Sequence, residues 1–366
     1  MSQLFSPFTL SDLQLPNRIV LSPMCQYCAQ PEGVAGEWHR VHLGQYASAG
    51  LGLVIVEATG VEAEGRITHH CLGLYNDQQT EALRDIVAYH RRHQGPPIGI
   101  QIGHAGRKAS TTTLWQGSRS LTPEESPWQS IAPSALAYSK LNTPRAMDES
   151  DITRVINAFA ASAQRADQAG FDLLELHAAH GYLLHSFLSP LSNQRDDQYG
   201  GSLENRMRFP LEVAAAVAKV WPADKPWGVR ISATDWVEGG WDVEQSITFS
   251  KALKALGCAF IDTSSGALDP RQKIPVGPGY QVPLATQIRE GAEITTITVG
   301  MISEPQQAEE IVANGEADLV ALGRPLLLNP HWAWQAANTL GLSKEQSAEL
   351  YPHQYERAAT LFPRAK

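Results

Sequence analysis

Apolar residues along this chain gather in short runs at 18–24, 53–58, 98–102, 173–176, 228–231, 260–263, 297–299 and 319–322, with stretches of helical period between them. Eight continuous apolar strands, each followed by a helix, imply a parallel sheet covered on its outer face, and eight such units close into a (β/α)8 barrel. Between two of the runs, Ile152, Val155, Ile156, Phe159 and Ala163 trace one helical face over 148–170, where Asp148 or Ser150 can cap the start and Gly170 suits the end. Residues 304–314 repeat the pattern, with Gly315 closing it. Ahead of the first strand, Phe5-Ser6-Pro7-Phe8-Thr9-Leu10 and Asp12-Leu13-Gln14-Leu15 predict a small hairpin that plugs the amino-terminal mouth of the barrel. A Ser/Thr/Pro-rich segment at 109–147 has no clear period and is long for a connection. It is read as a loop over the site, since it follows strand three and carries Trp115 and Trp128, which are unfavourable to leave in water. No repeat or linker divides the chain, so residues 1–366 are read as one α/β barrel domain.

Composition narrows the function. The chain has 366 residues, 43% of them hydrophobic, enough to bury a large core. A formal charge of -9 argues against a partner that is nucleic acid. The amino terminus lacks a basic region followed by an apolar core, and no run approaches about 20 apolar residues, so neither a signal peptide nor a membrane span is expected and the location is read as cytoplasmic. Cys25, Cys28, Cys71 and Cys258 are too few and scattered for a disulfide framework. Cys25-Gln26-Tyr27-Cys28 is a CxxC, but its redox use wants a helix start that lowers the thiol pKa, whereas Cys25 follows a strand. A functional Cys25 acting alone is preferred, and no second CxxC supports a zinc ribbon or iron–sulfur cluster.

Candidate chemistry lies at the ends of the runs. The fourth run continues as Leu176-His177-Ala178-Ala179-His180-Gly181-Tyr182. Residues three apart on a strand face opposite ways, so the histidines converge only if the chain leaves the strand at His177. Metal ligation, satisfaction of buried carbonyls, and paired donation to a substrate oxygen all remain open, with metal the weakest because a third ligand is missing. The other run ends contribute Cys25 and Tyr27, Ala58, Gln101, Arg230, Gly300 with Met301, and Gly323 with Arg324. Loops after strands seven and eight of such barrels commonly bind phosphate through glycine backbone N–H groups and an arginine. Alternatively the glycines only turn and Arg324 pairs with a surface acid. Arg230, inside an apolar strand, needs a negative partner: Glu57 or Glu175 within the protein, or a cofactor that becomes anionic. With Gln101 presenting both donor and acceptor to an amide-like ring edge, a flavin meets these requirements.

Ser22-Pro23-Met24-Cys25-Gln26-Tyr27, Gln101-Ile102-Gly103-His104-Ala105-Gly106-Arg107-Lys108, His177 through Leu183, Phe187 through Asn193, and Tyr199-Gly200-Gly201-Ser202-Leu203-Glu204-Asn205-Arg206 resemble the old yellow enzyme family, in order and over nearly the whole chain. The closest likeness is to the bacterial NADPH dehydrogenase and xenobiotic reductase subclass with a cysteine after Ser-Pro-Met. The resemblance implies noncovalent FMN, with Ser22, Pro23, Met24, Cys25 and Ala58 near its ring, Gln101 and Arg230 at the pyrimidine edge, and Gly300, Met301, Gly323 and Arg324 around the phosphate. It implies that His177 and His180 bind the substrate's carbonyl or nitro oxygen, that Tyr182 donates a proton, that Tyr27 closes the pocket and that Cys25 tunes the flavin. The segment Tyr351-Pro352-His353-Gln354-Tyr355-Glu356-Arg357 resembles one whose arginine reaches a neighbouring subunit's site, although here Ala358 to Phe362 follow it instead of an immediate aromatic end. The implied activity is reduction of activated alkenes with NADPH or NADH by a homodimer or larger homo-oligomer. The alternatives are a reductase of nitro compounds or nitrate esters using the same site, a metal-dependent hydrolase using His177 and His180, and a flavin-storage protein.

Overall fold

Each apolar run forms a strand in the structure, a computed structural model that describes residues 2–361. The amino-terminal hairpin comprises β1 (Phe8–Leu10) and β2 (Leu13–Leu15), paired antiparallel. Then follow β3 (Ile19–Leu21), β4 (Leu53–Gly60), β5 (Ile98–Gly103), the short β6 (Ile131–Ala132) and β7 (Arg145–Ala146), β8 (Leu173–Ala178), β9 (Trp227–Ser232), β10 (Phe260–Ser264), β11 (Thr295–Thr298) and β12 (Leu319–Leu322). All but β1, β2, β6 and β7 belong to one closed parallel barrel, taken in chain order, with β12 returning to pair with β3.

The runs are continuously apolar because both faces of each strand are buried. Val20, Leu53, Ile55, Leu173, Phe260 and Leu319 point inward and form one cluster with Leu10 and Leu15 of the hairpin, which therefore seals the amino-terminal end. Alternate residues, such as Val54, Val56, Leu174, Leu176 and Ile261, face outward into the larger core beneath the helices. Gly228 makes room for this bottom layer, since a Cβ there would lie 2.5 Å from the Phe260 ring.

Parity then carries polar side chains up the interior. Two residues beyond Leu173 and Phe260 come Glu175 and Asp262, which stand in register with Gln101 and Arg230 of the adjacent strands. One layer higher are His177 on β8 and the facing pair Ser232 and Ser264 on β9 and β10. An apolar floor, a charged middle and a hydroxyl- and imidazole-bearing rim thus follow from a period of two.

The helix over 148–170 is present as Glu149–Ala169. Asp148 is its cap, accepting from the Asp151 N–H, while Ser150 instead donates to Asp148 at 2.6 Å; Gly170 ends the helix at φ 94°. The second predicted helix spans Pro305–Ala313, and Gly315 follows at φ 70°. The 109–147 segment is largely loop, with short 3-10 turns and the β6–β7 pair. Its tryptophans differ from expectation in one respect. Trp128 is half-buried, donating its indole N–H to Glu64 O at 2.9 Å, whereas Trp115 is 69% exposed and touches Tyr27 edge-on at 5.9 Å. Among the described residues, no helix is long and apolar enough to cross a membrane.

Candidate active site

The fourth barrel strand runs two residues further than its apolar run, to Ala178. Convergence of the histidines is achieved by His180 itself, which takes the left-handed conformation at φ 58°, followed by Gly181 at φ 72°. A non-glycine residue there is strained by about 1 kcal/mol or more and persists only when its surroundings hold it. They do. The His180 N–H donates to Ser232 Oγ at 2.9 Å, its carbonyl accepts from Lys108 Nζ at 2.8 Å, and the Gly181 N–H donates to His185 Nδ1 at 2.9 Å. At position 181 a Cβ would lie 2.6 Å from Ala267 O, so only glycine passes. The His177 ring ends 5.2 Å from that of His180 and 4.9 Å from that of Tyr182, edge to face in both cases.

The protonation states follow from the surroundings. His177 Nδ1 accepts from the Ala179 N–H at 3.2 Å, so the neutral ring carries its proton on Nε2 and is a donor there. Burial, assisted by the positive charge of Arg230, lowers the pKa of both His177 and His180 well below the ordinary imidazole value. Protein packed around the Tyr182 hydroxyl raises its pKa well above that of a free phenol. This corner therefore offers neutral N–H donors and a protonated phenol. Lys108, close by over the Tyr138 ring at 3.9 Å, is lowered by burial and by Arg107 to about 7.

In the middle layer the partner of Arg230 is neither Glu57 nor a direct bond to Glu175, as the sequence suggested, but Asp262, whose Oδ2 lies 3.2 Å from Nε. Glu57 instead faces the α-helix Glu37–Tyr46, 3.2 Å from His39 Nε2, and accepts from the Gln26 N–H. Glu175 accepts from Gln101 Nε2 at 2.7 Å. Burial and the neighbouring Asp262 carboxylate raise Glu175 well above the usual carboxylate range; burial raises Asp262 too, less far, against the pull of the Arg230 guanidinium. Glu175 thus holds the shared proton. Two valences remain for a ligand: the carbonyl oxygen of Gln101, and the terminal nitrogens of Arg230, which make no hydrogen bond to the described residues.

The remaining predicted residues gather at the same end of the barrel, with one exception. The Ser22 N–H donates to Leu322 O, and Met24 Sδ would lie 3.3 Å from a Cβ at Gly323, so the strand-one and strand-eight motifs adjoin across the barrel closure. Pro23 lies between them in the chain. Cys25 is a free thiol; burial, with Cys71 and Glu57 nearby, raises its pKa well above the ordinary value. Tyr27 is raised too, mainly by burial. Ala58 lines a small cavity with Thr59, Cys71, Gly103, His177 and Tyr182. Gly300, at φ 124°, sits where a Cβ would be 2.7 Å from Gln281 Nε2, and Met301 beside it is exposed. Arg324 is exposed and forms no ion pair among the described residues. Arg357 is the exception. It belongs to the 3-10 segment His353–Leu361, whose Tyr355 packs on Trp334 at 5.8 Å and borders a groove with Pro16, Gly50 and Pro97, residues that precede barrel strands. Phe362 lies outside the described residues.

The family model described as NADH:flavin oxidoreductase / NADH oxidase matches residues 3–343. The chain belongs to that family. It is 47% identical over 356 residues to an NADPH dehydrogenase of Geobacillus thermodenitrificans (strain NG80-2), covering 97% of this chain and 98% of that one. An NADPH dehydrogenase of Bacillus cytotoxicus is 45% identical over 359 residues, covering 98% and 97%. Among solved structures, morphinone reductase in complex with tetrahydroNAD superposes with a TM-score of 0.77 at 29% identity, covering 100% of this chain and 98% of that one. The old yellow enzyme homologue from Zymomonas mobilis gives 0.78 at 27%, covering 99% and 100%. The protein is an oxidoreductase whose cofactor is FMN.

For a member of this flavin oxidoreductase family, several side chains that support the predicted set escaped the sequence reading. Asp262 sits inside a run read only as apolar, Ser232 and Ser264 are the strand residues one past their runs, and Lys108 lay within a quoted motif without a role. The signal was parity: each strand residue lies an even number of positions from a bottom-layer residue, on the same face.

Proposed function

We propose that the protein reduces the carbon–carbon double bond of α,β-unsaturated carbonyl compounds, using NADPH or NADH as the electron source. The observation that carries this reading is the convergence of His177, His180 and Tyr182 at 5.2 and 4.9 Å, two neutral imidazoles and a protonated phenol in one corner. FMN fits the surrounding groups. Gln101 has an acceptor and Arg230 has donors left over for a ring edge that alternates the two, while Gly300, Met301, Gly323 and Arg324 supply backbone and a guanidinium with no ion pair among the described residues, suited to a phosphate. Ser22, Pro23, Met24, Cys25 and Ala58 would border the ring.

Bound FMN, once reduced by the nicotinamide nucleotide, supplies hydride to the β-carbon of the alkene. His177 and His180 hold the carbonyl oxygen, and because their N–H groups are preorganised they bind it more strongly as it gains negative charge than in the ground state. Tyr182 gives its proton to the α-carbon. Its raised pKa keeps it protonated through the whole neutral range. Tyr27, touched edge-on by Trp115 of the 109–147 loop at 5.9 Å, would close the substrate side. Arg357 would act only on a neighbouring subunit's site in a homo-oligomer.

Tyr182→Phe keeps the ring and removes the proton. With reduced enzyme and 2-cyclohexenone in stopped flow, flavin reoxidation should slow at least tenfold while the NADPH half-reaction keeps its rate, general acid assistance being worth roughly 10²–10⁴-fold when complete. Wild-type rates in both halves would remove Tyr182 from the reaction.

A further inference from the structure

His180 is gripped by its side chain as well as its backbone. Its Nε2 lies 2.7 Å from Ser264 Oγ, the last inward residue of β10. Ser264 is 5% exposed and has a second neighbour, Gln281 Oε1, at 3.5 Å. The amide of Gln281 is oriented, because its Nε2 donates to Val299 O at 2.6 Å, which turns Oε1 toward the two serines. Ser265 already donates to that oxygen at 2.6 Å. A hydroxyl has one proton, and the distances decide where Ser264 places it: 3.5 Å is the margin of hydrogen bonding, whereas 2.7 Å is its centre.

We propose that Ser264 is a positioning residue whose hydroxyl donates to His180 Nε2, holding the neutral imidazole as the Nδ1–H tautomer so that Nδ1 is the donor presented to the substrate oxygen. The tautomer of a histidine is set by the hydrogen bond made at its other nitrogen. His177 is fixed the opposite way, its Nδ1 accepting from the Ala179 N–H and its Nε2 carrying the proton. The two rings therefore donate through unlike nitrogens, and Ser265 and Gln281 matter because they leave the Ser264 proton no better acceptor. Without Ser264, no other described residue bonds His180 Nε2 to keep the proton off it, and a ring protonated there turns a lone pair toward the substrate.

This inference rests on the reading that the histidines receive the substrate oxygen, and the test separates the two. Holoenzyme with 15N-labelled histidine gives the tautomer directly from long-range proton–nitrogen correlations, with no substrate present. His180 should show Nδ1 protonated and Nε2 bare in the wild type and in Ser264→Thr, and a shift toward Nε2–H in Ser264→Ala. The dissociation constant of 4-hydroxybenzaldehyde should rise about tenfold in Ser264→Ala, the scale of one lost hydrogen bond, and recover in Ser264→Thr. The KM for 2-cyclohexenone should rise in Ser264→Ala and recover in Ser264→Thr. A proton on Nε2 in the wild type, or no change of tautomer in Ser264→Ala, overturns the assignment of Ser264 whatever the binding data show. Unweakened phenol binding in His177→Ala and His180→Ala would instead overturn the substrate reading while leaving the tautomer result in place.

Discussion

Asp262→Asn tests the charge balance of the barrel interior. In the wild type the guanidinium of Arg230 faces the Asp262 carboxylate at 3.2 Å, with both residues buried, and Glu175 beside them holds a proton because burial disfavours its charge and Asp262 repels it. Removing one partner of a buried ion pair ordinarily costs about 3–5 kcal/mol, because the other charge is left uncompensated. Here Glu175 stands in reserve. With Asp262 neutral, the carboxylate that raised Glu175 is gone and the guanidinium that lowers it remains, so Glu175 should ionise and restore neutrality. The single variant should therefore lose only about 1–2 kcal/mol, the misfit of the new pair, while Glu175→Gln alone, replacing an already neutral group, should lose about 1 kcal/mol. The double variant has no anion left for Arg230 and should lose the full 3–5 kcal/mol or more. Urea unfolding of the flavin-loaded proteins at pH 7 measures all three. Strict additivity, or a single Asp262→Asn loss as large as that of the double variant, would show that no proton is held in reserve on Glu175.

The depressed pKa values of His177 and His180 mean that neither titrates between pH 6 and 8, so the affinity for 4-hydroxybenzaldehyde should show no imidazole inflection there, and His177→Ala should slow enone reduction about a hundredfold, the scale of one oxyanion donor. An inflection near pH 6.5 would contradict the assigned charge state. Cys25 carries a thiol held protonated by burial, so Cys25→Ala should shift the flavin midpoint potential while flavin loading persists, and iodoacetamide at pH 8 should label the native protein slowly; an unaltered potential reduces Cys25 to packing, and loss of activity in Cys28→Ser revives the CxxC pair. Asp151 accepts from Arg145 at 2.5 and 2.9 Å and from Arg154 at 3.0 Å, and the Arg145 guanidinium holds it below its ordinary value. A depressed carboxylate stabilises the fold above its unfolded pKa and loses that contribution as pH falls through the folded one. Since both arginines are nearly half exposed, the effect is discounted to about 1 kcal/mol. Asp151→Asn should then be less stable than wild type at pH 7, with the gap narrowing by pH 3; a constant gap would mean that the charge is not involved.

How much of this was legible depended on which force placed each residue. The barrel strands were readable because burial on both faces makes them continuously apolar, and the helix ends because Asp148 and Gly170 do local work that needs no tertiary partner. Motifs at strand ends located Cys25, Gln101, His177 and Arg230 at one mouth, since a parallel barrel puts every carboxyl end on the same side. The left-handed turn at His180 was not readable. It depends on Ser232, Lys108 and His185, which lie elsewhere in the chain and meet it only in the fold.

The partner of Arg230 was a different kind of miss. Nearness to a strand end suggested Glu57, but β4 breaks its register with β5 between Val56 and Thr59, and Glu57 turns to His39. Asp262 sat inside a run read as merely apolar. Yet a lone aspartate between Ile261 and Thr263, two residues from the inward Phe260, can only enter the barrel, where an unpaired carboxylate is prohibitively unfavourable. The adjacent strand offers one guanidinium at the matching height. In closed barrels a polar residue in an apolar strand is therefore best paired by its count from the bottom layer, and the same count that joins Asp262 to Arg230 places Ser264 level with Ser232, beneath the histidine that both of them hold.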